Sequence, residues 1–152
     1  MDFSQITNDL FIGATPTATD YDLLRDLGVR LVINMRFLRG PQPDLHPEAL
    51  NFLWLRTIDS PIILIPLRKL VQGTQAALET IQNGGKVYSH CAKGRHRSVA
   101  MGAAILIAQG HTPETAMLLI KKQRPIADPG IFYIRSWIVR FARQWQKEFR
   151  RL

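Results

Sequence analysis

The sequence predicts an α/β fold in which a mostly parallel central sheet is flanked by helices. Two observations support this prediction. Short apolar runs rich in β-branched residues alternate with segments of helical periodicity, and glycine or proline marks most of the junctions between them. The chain has 152 residues, 46% of them hydrophobic and 21% charged, which is enough for one domain with a substantial core. We expect residues 1–152 to form that single domain.

The first half of the chain predicts two strands, one helix and a long loop. Residues 10–13 (LFIG) form a short apolar run typical of a strand. Residues 20–27 have the apolar spacing of a helix, and Gly28 is placed to end it. The β-branched run at residues 29–35 predicts a buried strand. Residues 36–47 contain three prolines and a glycine and therefore predict a loop.

The second half predicts two further strands among longer helices. Alternation over residues 51–58 indicates one strand, and residues 86–90 (KVYSH) indicate the other. Residues 66–83 form an amphipathic pattern that is closed by Gly84 and Gly85. Three more helices are predicted towards the C-terminus, at residues 98–109, 113–123 and 131–149.

Composition limits the kinds of binding partner and of cellular compartment that suit this protein. The net charge of +8 indicates an anionic partner, and nucleic acid, an acidic lipid surface and a phosphorylated substrate all qualify. The single cysteine, Cys91, excludes an intramolecular disulfide and a multi-cysteine zinc site, and it favours a reducing compartment. The first residues (MDFSQITNDLF) do not have the pattern of a signal peptide. The apolar run at residues 99–108 is shorter than the ~20 residues of a membrane span, so we expect a cytoplasmic protein.

The stretch VYSHCAKGRHRS, residues 87–98, places the cysteine between a predicted strand and a predicted helix. Such a junction directs backbone N–H groups and the positive end of the helix at one point. Gly94 can adopt a positive φ, which lets successive amides curve around an anion. The same donors favour the thiolate of Cys91, which is a nucleophile. We expect the phosphate of a substrate to be bound by the loop residues Ala92, Lys93, Gly94, Arg95, His96 and Arg97.

Three neighbours of Cys91 have predicted roles in this chemistry. Arg97, six positions later, can bind two phosphoryl oxygens at once. Ser98 can donate to the sulfur, which makes the sulfur a better leaving group when a thiophosphate is hydrolysed. His90 is expected to orient the loop, and the alternative is a buried histidine at the end of a strand. A structural thiol that only happens to lie near surface bases would not require the glycine, arginine and serine at these spacings.

This stretch matches a known signature position by position, through His90, Cys91, Gly94, Arg97 and Ser98. The signature is His-Cys-x-x-Gly-x-x-Arg-Ser, and it is typical of the cysteine-based protein tyrosine phosphatase superfamily. The sequence resembles in particular the compact dual-specificity branch. The likeness extends over nearly the whole chain, including LFIGATP…LLRDLGVRLVINM and GHTPETAMLLIKKQRPI. The resemblance implies a protein tyrosine phosphatase-like fold and hydrolysis of phosphomonoesters through a cysteinyl-phosphate intermediate, without a metal or other cofactor.

The resemblance also implies a general acid upstream of the loop. Asp59, at the end of a predicted strand, opens onto the sheet edge that carries the phosphate loop. Its alternative is a turn aspartate before Pro61, and the competing acids are Asp44 and Glu48 in the proline-rich loop. The chain departs from the family at residues 124–130 (RPIADPG), which lack the Pro-Asn step often found there. A substrate contact from that asparagine is therefore not expected.

The loop contains more bases than one phosphate requires. Lys93, Arg95 and His96 favour a substrate with further negative charge, such as an inositol phosphate, a phosphoinositide or phosphatidylglycerol phosphate.

Two other segments could contact a lipid. Residues 62–64 (IIL) can offer an apolar rim to an acyl chain, but we expect them to pack in the core. Residues 140–152 (RFARQWQKEFRRL) can contact an acidic membrane surface or nucleic acid. We expect instead an amphipathic helix whose core face carries Ile134, Ile138, Phe141, Trp145 and Phe149.

The leading function is a dual-specificity protein phosphatase acting on phosphotyrosine, phosphoserine and phosphothreonine. A phosphatase of inositol phosphates or phospholipids competes closely with it. An anion-binding pseudophosphatase is disfavoured because the nucleophile, the arginine, the serine and an acid are all present. RNA 5′-end processing is disfavoured because no aromatic stacking motif supports it. The expected partners are therefore phosphorylated proteins or polyanionic phosphorylated small molecules and lipids, and not nucleic acid.

Overall fold

Five strands form one mixed sheet in the computed structural model, which describes residues 1–149. In chain order the strands are β1 (Phe3–Gln5), β2 (Leu10–Gly13), β3 (Val29–Asn34), β4 (Asn51–Trp54) and β5 (Lys86–His90). The helices are α1 (Tyr21–Asp26), α2 (Leu67–Gln82), α3 (Arg97–Ala108), α4 (Pro113–Gln123) and α5 (Phe132–Phe149), with a 3-10 helix at Ala18–Asp20 before α1. The predicted fold class is confirmed.

The order of the strands brings distant parts of the chain to one edge of the sheet. The order is β1-β2-β5-β3-β4, and only β1 runs antiparallel to its neighbour. The last residues of the four parallel strands lie side by side, because His90 pairs with both Gly13 and Asn34, and Asn34 pairs with Trp54. The loops that follow these strands therefore surround the start of α3, which begins just after β5.

Alternation along the strands supplies a hydrophobic cluster to each face of the sheet. Leu31 and Ile33 of β3 belong to the larger cluster with residues of α2 to α5, whereas Val32 between them belongs to the smaller cluster with Tyr21 and Leu24 of α1. Helix α3 is buried from residue 98 to residue 107, which explains why its sequence is apolar on every side. The sheet and α3 thus form the rigid support of the loop between them.

Two strand predictions differ from the structure. Strand β1 was not predicted, because three residues with the sequence FSQ show no apolar alternation. The strand predicted over residues 51–58 ends at Trp54. After Trp54, hydrogen bonds between side chains and backbone replace the strand pairing. The Thr57 hydroxyl donates to the Met35 carbonyl, and Arg97 donates to the Thr57 carbonyl. Asp59 therefore lies in a loop and not at the end of a strand.

The prediction that Ile62, Ile63 and Leu64 pack in the core is wrong. Their side chains are 85%, 50% and 53% exposed. The hydroxyl of Ser60 accepts the backbone N–H groups of Ile62 and Ile63, which closes a turn at the surface. We refer to Ile62, Ile63 and Leu64 as the aliphatic ridge.

The last helix packs largely as predicted. Four of its five expected core residues are buried, namely Ile134, Ile138, Phe141 and Trp145, whereas Phe149 at the end of α5 is 40% exposed. Residues 150–152 of the basic and aromatic segment lie outside the described residues. Within residues 1–149, no helix has both the length and the apolar character needed to cross a membrane.

Candidate active site

The loop between β5 and α3 curves around an open space lined by its own residues. Gly94 has a φ of +66°, a conformation that side chains other than glycine rarely adopt. A Cβ atom at Gly94 would also lie 2.6 Å from the carbonyl carbon and oxygen of Gly13. The loop therefore requires glycine at this position for two independent reasons.

Cys91 lies at the base of this space and is 3% exposed. Its Sγ atom lies 3.2 Å from the Oγ atom of Ser98. Burial raises the pKa of the Cys91 thiol, but this effect is outweighed by hydrogen bonds from the Ser98 hydroxyl, by the backbone N–H groups of Ser98 and Gly94, and by the charge of Arg97. The net effect is a lowered pKa, so the thiolate is favoured although the sulfur is buried.

Arg97 is held by two loops that follow other strands. Its Nη1 donates to the carbonyl of Thr57 at 2.8 Å and to that of Met35 at 3.3 Å. Its buried Nε has no hydrogen-bond partner among the described residues. The guanidinium is therefore fixed on one side and retains an unused donor for an anion.

Seven of the predicted site residues line one pocket of about 290 Å³, whereas His90, Gly94 and Ser98 are not part of its lining. The pocket is lined by Asp59, Cys91, Ala92, Lys93, Arg95, His96 and Arg97. Residues from the loop after β4 and from the loop after β5 thus meet, as expected from the parallel strands that precede them.

The competing acids of the proline-rich loop are not part of this pocket. Asp44 forms an ion pair with Arg25 and accepts the backbone N–H of Leu50, so its carboxylate is used in the packing of its own loop. Glu48 is exposed. Of the three acids considered from the sequence, Asp59 alone lines the cysteine pocket.

Both carboxylate oxygens of Asp59 accept hydrogen bonds. His96 Nδ1 lies 2.9 Å from Oδ2, and the Tyr133 hydroxyl donates to Oδ1 at 2.8 Å. Burial raises the pKa of Asp59, but the bonds from His96 and Tyr133 outweigh burial and lower it. Burial and the bond to Asp59 raise the pKa of Tyr133 to about 12, so the phenol remains a donor.

The three bases that we expected to bind extra phosphates differ in their contacts. Arg95 pairs with Asp128 at 2.8 Å and also donates to the Ile126 carbonyl. His96 lies between Asp59 and Asp128, with Nε2 3.5 Å from the Asp128 carboxylate. Lys93 is exposed and, among residues 1–149, has no carboxylate partner. Only Lys93 is therefore unpaired and available to a second anionic group.

His90 is 2% exposed behind the loop. Burial lowers the pKa of His90 to about 4, and the charges of Arg36 and Arg97 act in the same direction. The imidazole is neutral at neutral pH, and its Nδ1 has no hydrogen-bond partner among the described residues. The role of His90 in orienting the loop stays a prediction, as does the alternative of a buried histidine at the end of a strand. Next to His90, Thr15 donates to the Cys91 carbonyl at 3.0 Å and accepts from Arg36 at 2.9 Å.

Arg124 supports the loop from behind and was not identified from the sequence. It is 2% exposed and donates to the carbonyls of Lys93 at 2.9 Å and Gly94 at 2.8 Å. It also binds Asp2 and Ser4 near β1, each at 3.1 Å. The sequence gives no local signal for this role, because an arginine at the end of a helix is ordinarily a surface residue.

Comparison with known proteins identifies the family. No family model matches the sequence. Dual specificity phosphatase 28 from mouse is 30% identical over 131 residues, which cover 85% of this chain and 77% of that protein. Human phosphatidylglycerophosphatase and protein-tyrosine phosphatase 1 is 36% identical over 131 residues, or 80% of this chain and 64% of that protein.

Solved structures agree with the sequence relatives. The crystal structure of a mouse dual specificity phosphatase has a TM-score of 0.84 and 26% identity, and covers 96% of this chain and 89% of its own. PTPMT1 in complex with PI(5)P has a TM-score of 0.78 and 30% identity, with 96% and 95% covered. The fold and the loop define a member of the cysteine-based protein tyrosine phosphatase superfamily. The chain belongs to its dual specificity phosphatase family, and the predicted enzyme class, a phosphatase, is confirmed.

Replacing Ser98 with alanine should raise the pKa of Cys91, because burial would then be opposed by fewer donors. A hydrogen bond to a charged group contributes about 1.5–3 kcal/mol, so alkylation of Cys91 by iodoacetamide at mildly acidic pH should slow roughly 10- to 100-fold. The rate at alkaline pH, where both proteins are ionised, should not fall. An alkylation profile that coincides with that of the wild type would show that Ser98 does not stabilise the thiolate.

Replacing Arg124 with methionine should destabilise the protein and the loop together. The buried Gly94 carbonyl and the partly buried Lys93 carbonyl would lose their donor, at roughly 2–4 kcal/mol in total, measured by urea denaturation. The matched control is Asp2→Ala, which removes only an exposed partner of Arg124 and should cost about 1 kcal/mol or less. Equal effects of the two variants would contradict the assigned support of the loop.

Proposed function

We propose that this phosphatase is a metal-independent phosphomonoester hydrolase of the dual-specificity protein tyrosine/serine/threonine type, acting through a cysteinyl-phosphate intermediate. The observation that carries the proposal is the arrangement around one pocket. A buried thiol with a lowered pKa lies next to an arginine with an unused Nε donor, and a carboxyl group lines the same pocket. These are a nucleophile, a stabiliser of phosphoryl charge and a general acid.

In the first step, the Cys91 thiolate attacks phosphorus. The S–P bond forms while the bond between phosphorus and the leaving oxygen breaks, and Asp59 gives its proton to that oxygen. Arg97 and the backbone N–H groups of the loop bind the equatorial oxygens, where charge is spread in the transition state. A lysine in place of Arg97 would supply positive charge but not the planar pair of donors that a guanidinium offers.

In the second step, water attacks phosphorus and the S–P bond breaks. The electron pair returns to Sγ of Cys91, where the hydroxyl of Ser98 stabilises the thiolate at 3.2 Å. Asp59 accepts a proton from the attacking water, and inorganic phosphate leaves. Cysteine, serine and aspartate are then in the states in which they began.

Asp59 must carry a proton before the first step, although its pKa is lowered in the free enzyme. A phosphate dianion in the pocket places two further negative charges near the carboxylate, and nearby like charges raise the pKa of a carboxyl group. Binding of the substrate thus favours uptake of a proton by Asp59. No group of three His, Cys, Asp or Glu side chains within residues 1–149 is arranged to hold a metal, and this mechanism assigns no step to one.

A lipid phosphate is the second candidate substrate, and one observation favours it. The aliphatic ridge is exposed and begins three residues after Asp59, which lines the phosphate pocket, although the ridge itself is not part of the lining. The name of one relative at 36% identity includes phosphatidylglycerophosphatase, and a neighbouring structure contains PI(5)P. An acyl chain that contacts the ridge would remove apolar surface from water.

Replacement of Cys91 by serine tests the main proposal. A serine hydroxyl is not ionised at neutral pH, so turnover of p-nitrophenyl phosphate should fall to background while circular dichroism is unchanged. Mass spectrometry of acid-quenched wild-type enzyme should find one phosphoryl group on the peptide that contains Cys91. Wild-type activity should survive EDTA. Retained activity in Cys91→Ser, or loss of wild-type activity on chelation, would contradict the mechanism.

Replacement of Ile62 and Leu64 by serine tests the lipid candidate. Partial burial of two aliphatic side chains contributes roughly 1–2 kcal/mol, so kcat/KM should fall about tenfold for phosphatidylglycerol phosphate with long acyl chains. It should not change for p-nitrophenyl phosphate or a phosphotyrosine peptide. Leu118→Ser, on α4 and 71% exposed, is the matched control. Equal losses of kcat/KM on all substrates would favour the protein-phosphatase hypothesis over the lipid one.

A further inference from the structure

The carboxylate of Asp59 is held from outside its own loop. Asp59 lies in an exposed or half-buried stretch, residues 58–64, between the buried Thr57 and Ile65, so its nearest neighbours in sequence supply little packing. Its two oxygens accept hydrogen bonds from His96 in the phosphate loop and from Tyr133 at the start of α5. The position of the acid therefore depends on these two donors.

His96 is itself fixed by three neighbours. Its Nδ1 lies 2.9 Å from Asp59 Oδ2, and its Nε2 lies 3.5 Å from Asp128 Oδ2. The ring of Tyr133 packs edge-on against the imidazole with the centroids 5.9 Å apart. Asp128 is in turn positioned by its backbone N–H, which donates to the Arg95 carbonyl at 3.0 Å. The histidine thus joins the acid loop to the loop before α5.

The chemistry of histidine suits this position. Its Nδ1 can donate to the Asp59 carboxylate at 2.9 Å, while Nε2 faces Asp128 at 3.5 Å and has no hydrogen-bond partner among the described residues. A serine or an alanine here would leave Asp59 with the Tyr133 hydroxyl alone. Since Arg97 follows His96 directly, the group that holds the acid is covalently linked to the group proposed to bind the phosphate.

We propose that His96 is the positioning residue of the general acid, fixing Asp59 relative to the bound phosphate so that its proton reaches the leaving oxygen. This assignment rests on the proposed function, in which Asp59 is that acid. It differs from the role expected from the sequence, where His96 was grouped with the bases that bind substrate phosphate. Asp128 and Tyr133 are the residues that keep the imidazole in place.

The test compares His96→Ala with wild type on two leaving groups. Turnover of an alkyl phosphate, which needs protonation of its leaving oxygen, should fall about 10- to 100-fold in kcat, less than the range of roughly 10²–10⁴ for complete loss of a general acid. KM should change less than about twofold, because Arg97 and the loop amides still bind the phosphate. Turnover of p-nitrophenyl phosphate should fall far less, because p-nitrophenolate leaves without a proton.

Three further variants separate positioning from a structural role. His96→Asn retains an amide donor near the place of Nδ1 and should recover most of the kcat lost in His96→Ala. His111→Ala is the matched histidine control and should behave as wild type, because His111 follows the C-terminal end of α3 whereas the pocket lies at the N-terminal end of that helix. In an Asp59→Asn background, His96→Ala should add no further loss on the alkyl phosphate.

The outcomes distinguish this proposal from the one on which it rests. If Asp59→Asn leaves the alkyl phosphate rate unchanged, the proposed function loses its general acid. If Asp59→Asn slows that rate but His96→Ala does not, only the positioning role is overturned. Equal losses on both leaving groups with a raised KM would also overturn it, because His96 would then act on phosphate binding. The same holds if the two substitutions are additive.

Discussion

The buried thiolate of Cys91 is the feature on which the rest of the site depends. Removing a negative charge from water is unfavourable, and burial alone would raise the pKa of this thiol. The opposing interactions come from one short stretch of chain, namely the Ser98 hydroxyl, the N–H groups of Ser98 and Gly94, and the Arg97 charge. They act together only while the loop keeps its curvature, which depends on the positive φ of Gly94 and on the bonds that Arg124 makes to the loop carbonyls.

That curvature is maintained by the rest of the fold. Arg124 links the loop to residues near β1, and Arg97 bonds the backbone after β3 and after β4. Each of these contacts joins residues that are distant in sequence, and the parallel arrangement of four strands brings them together at one edge. A disturbance of packing anywhere along this edge would therefore be expected to alter the anion site. The hydrogen bonds that support the loop are therefore also tertiary contacts of the fold.

The sequence predicts this site well where its chemistry is contiguous. The strand, the cysteine, the glycine, the arginine, the serine and the following helix occupy residues 86–108, so local rules of strand and helix formation place them correctly. Asp128, Tyr133 and Arg124 could not be assigned, because their roles arise only when α4 and α5 pack next to the loop. The aliphatic ridge was assigned to the core for a related reason: an apolar run does not reveal whether a turn leaves it exposed. Strand β1 escaped prediction because pairing with β2, and not its own pattern, makes it a strand.

Two acidic groups of the pocket have pKa values that are lowered by different donors. Ser98, Arg97 and the loop amides lower the pKa of Cys91, whereas His96 and Tyr133 lower the pKa of Asp59. Under the proposed mechanism, an arriving phosphate dianion adds negative charge between them. Protonation of the thiolate would remove the nucleophile, so the mechanism requires that Cys91 stays ionised in the complex. Asp59 can bind a proton, because protonation removes its charge and at the same time prepares it to protonate the leaving oxygen. The mechanism therefore depends on the donors around Cys91 keeping the sulfur ionised while the charge of the substrate raises the pKa of Asp59.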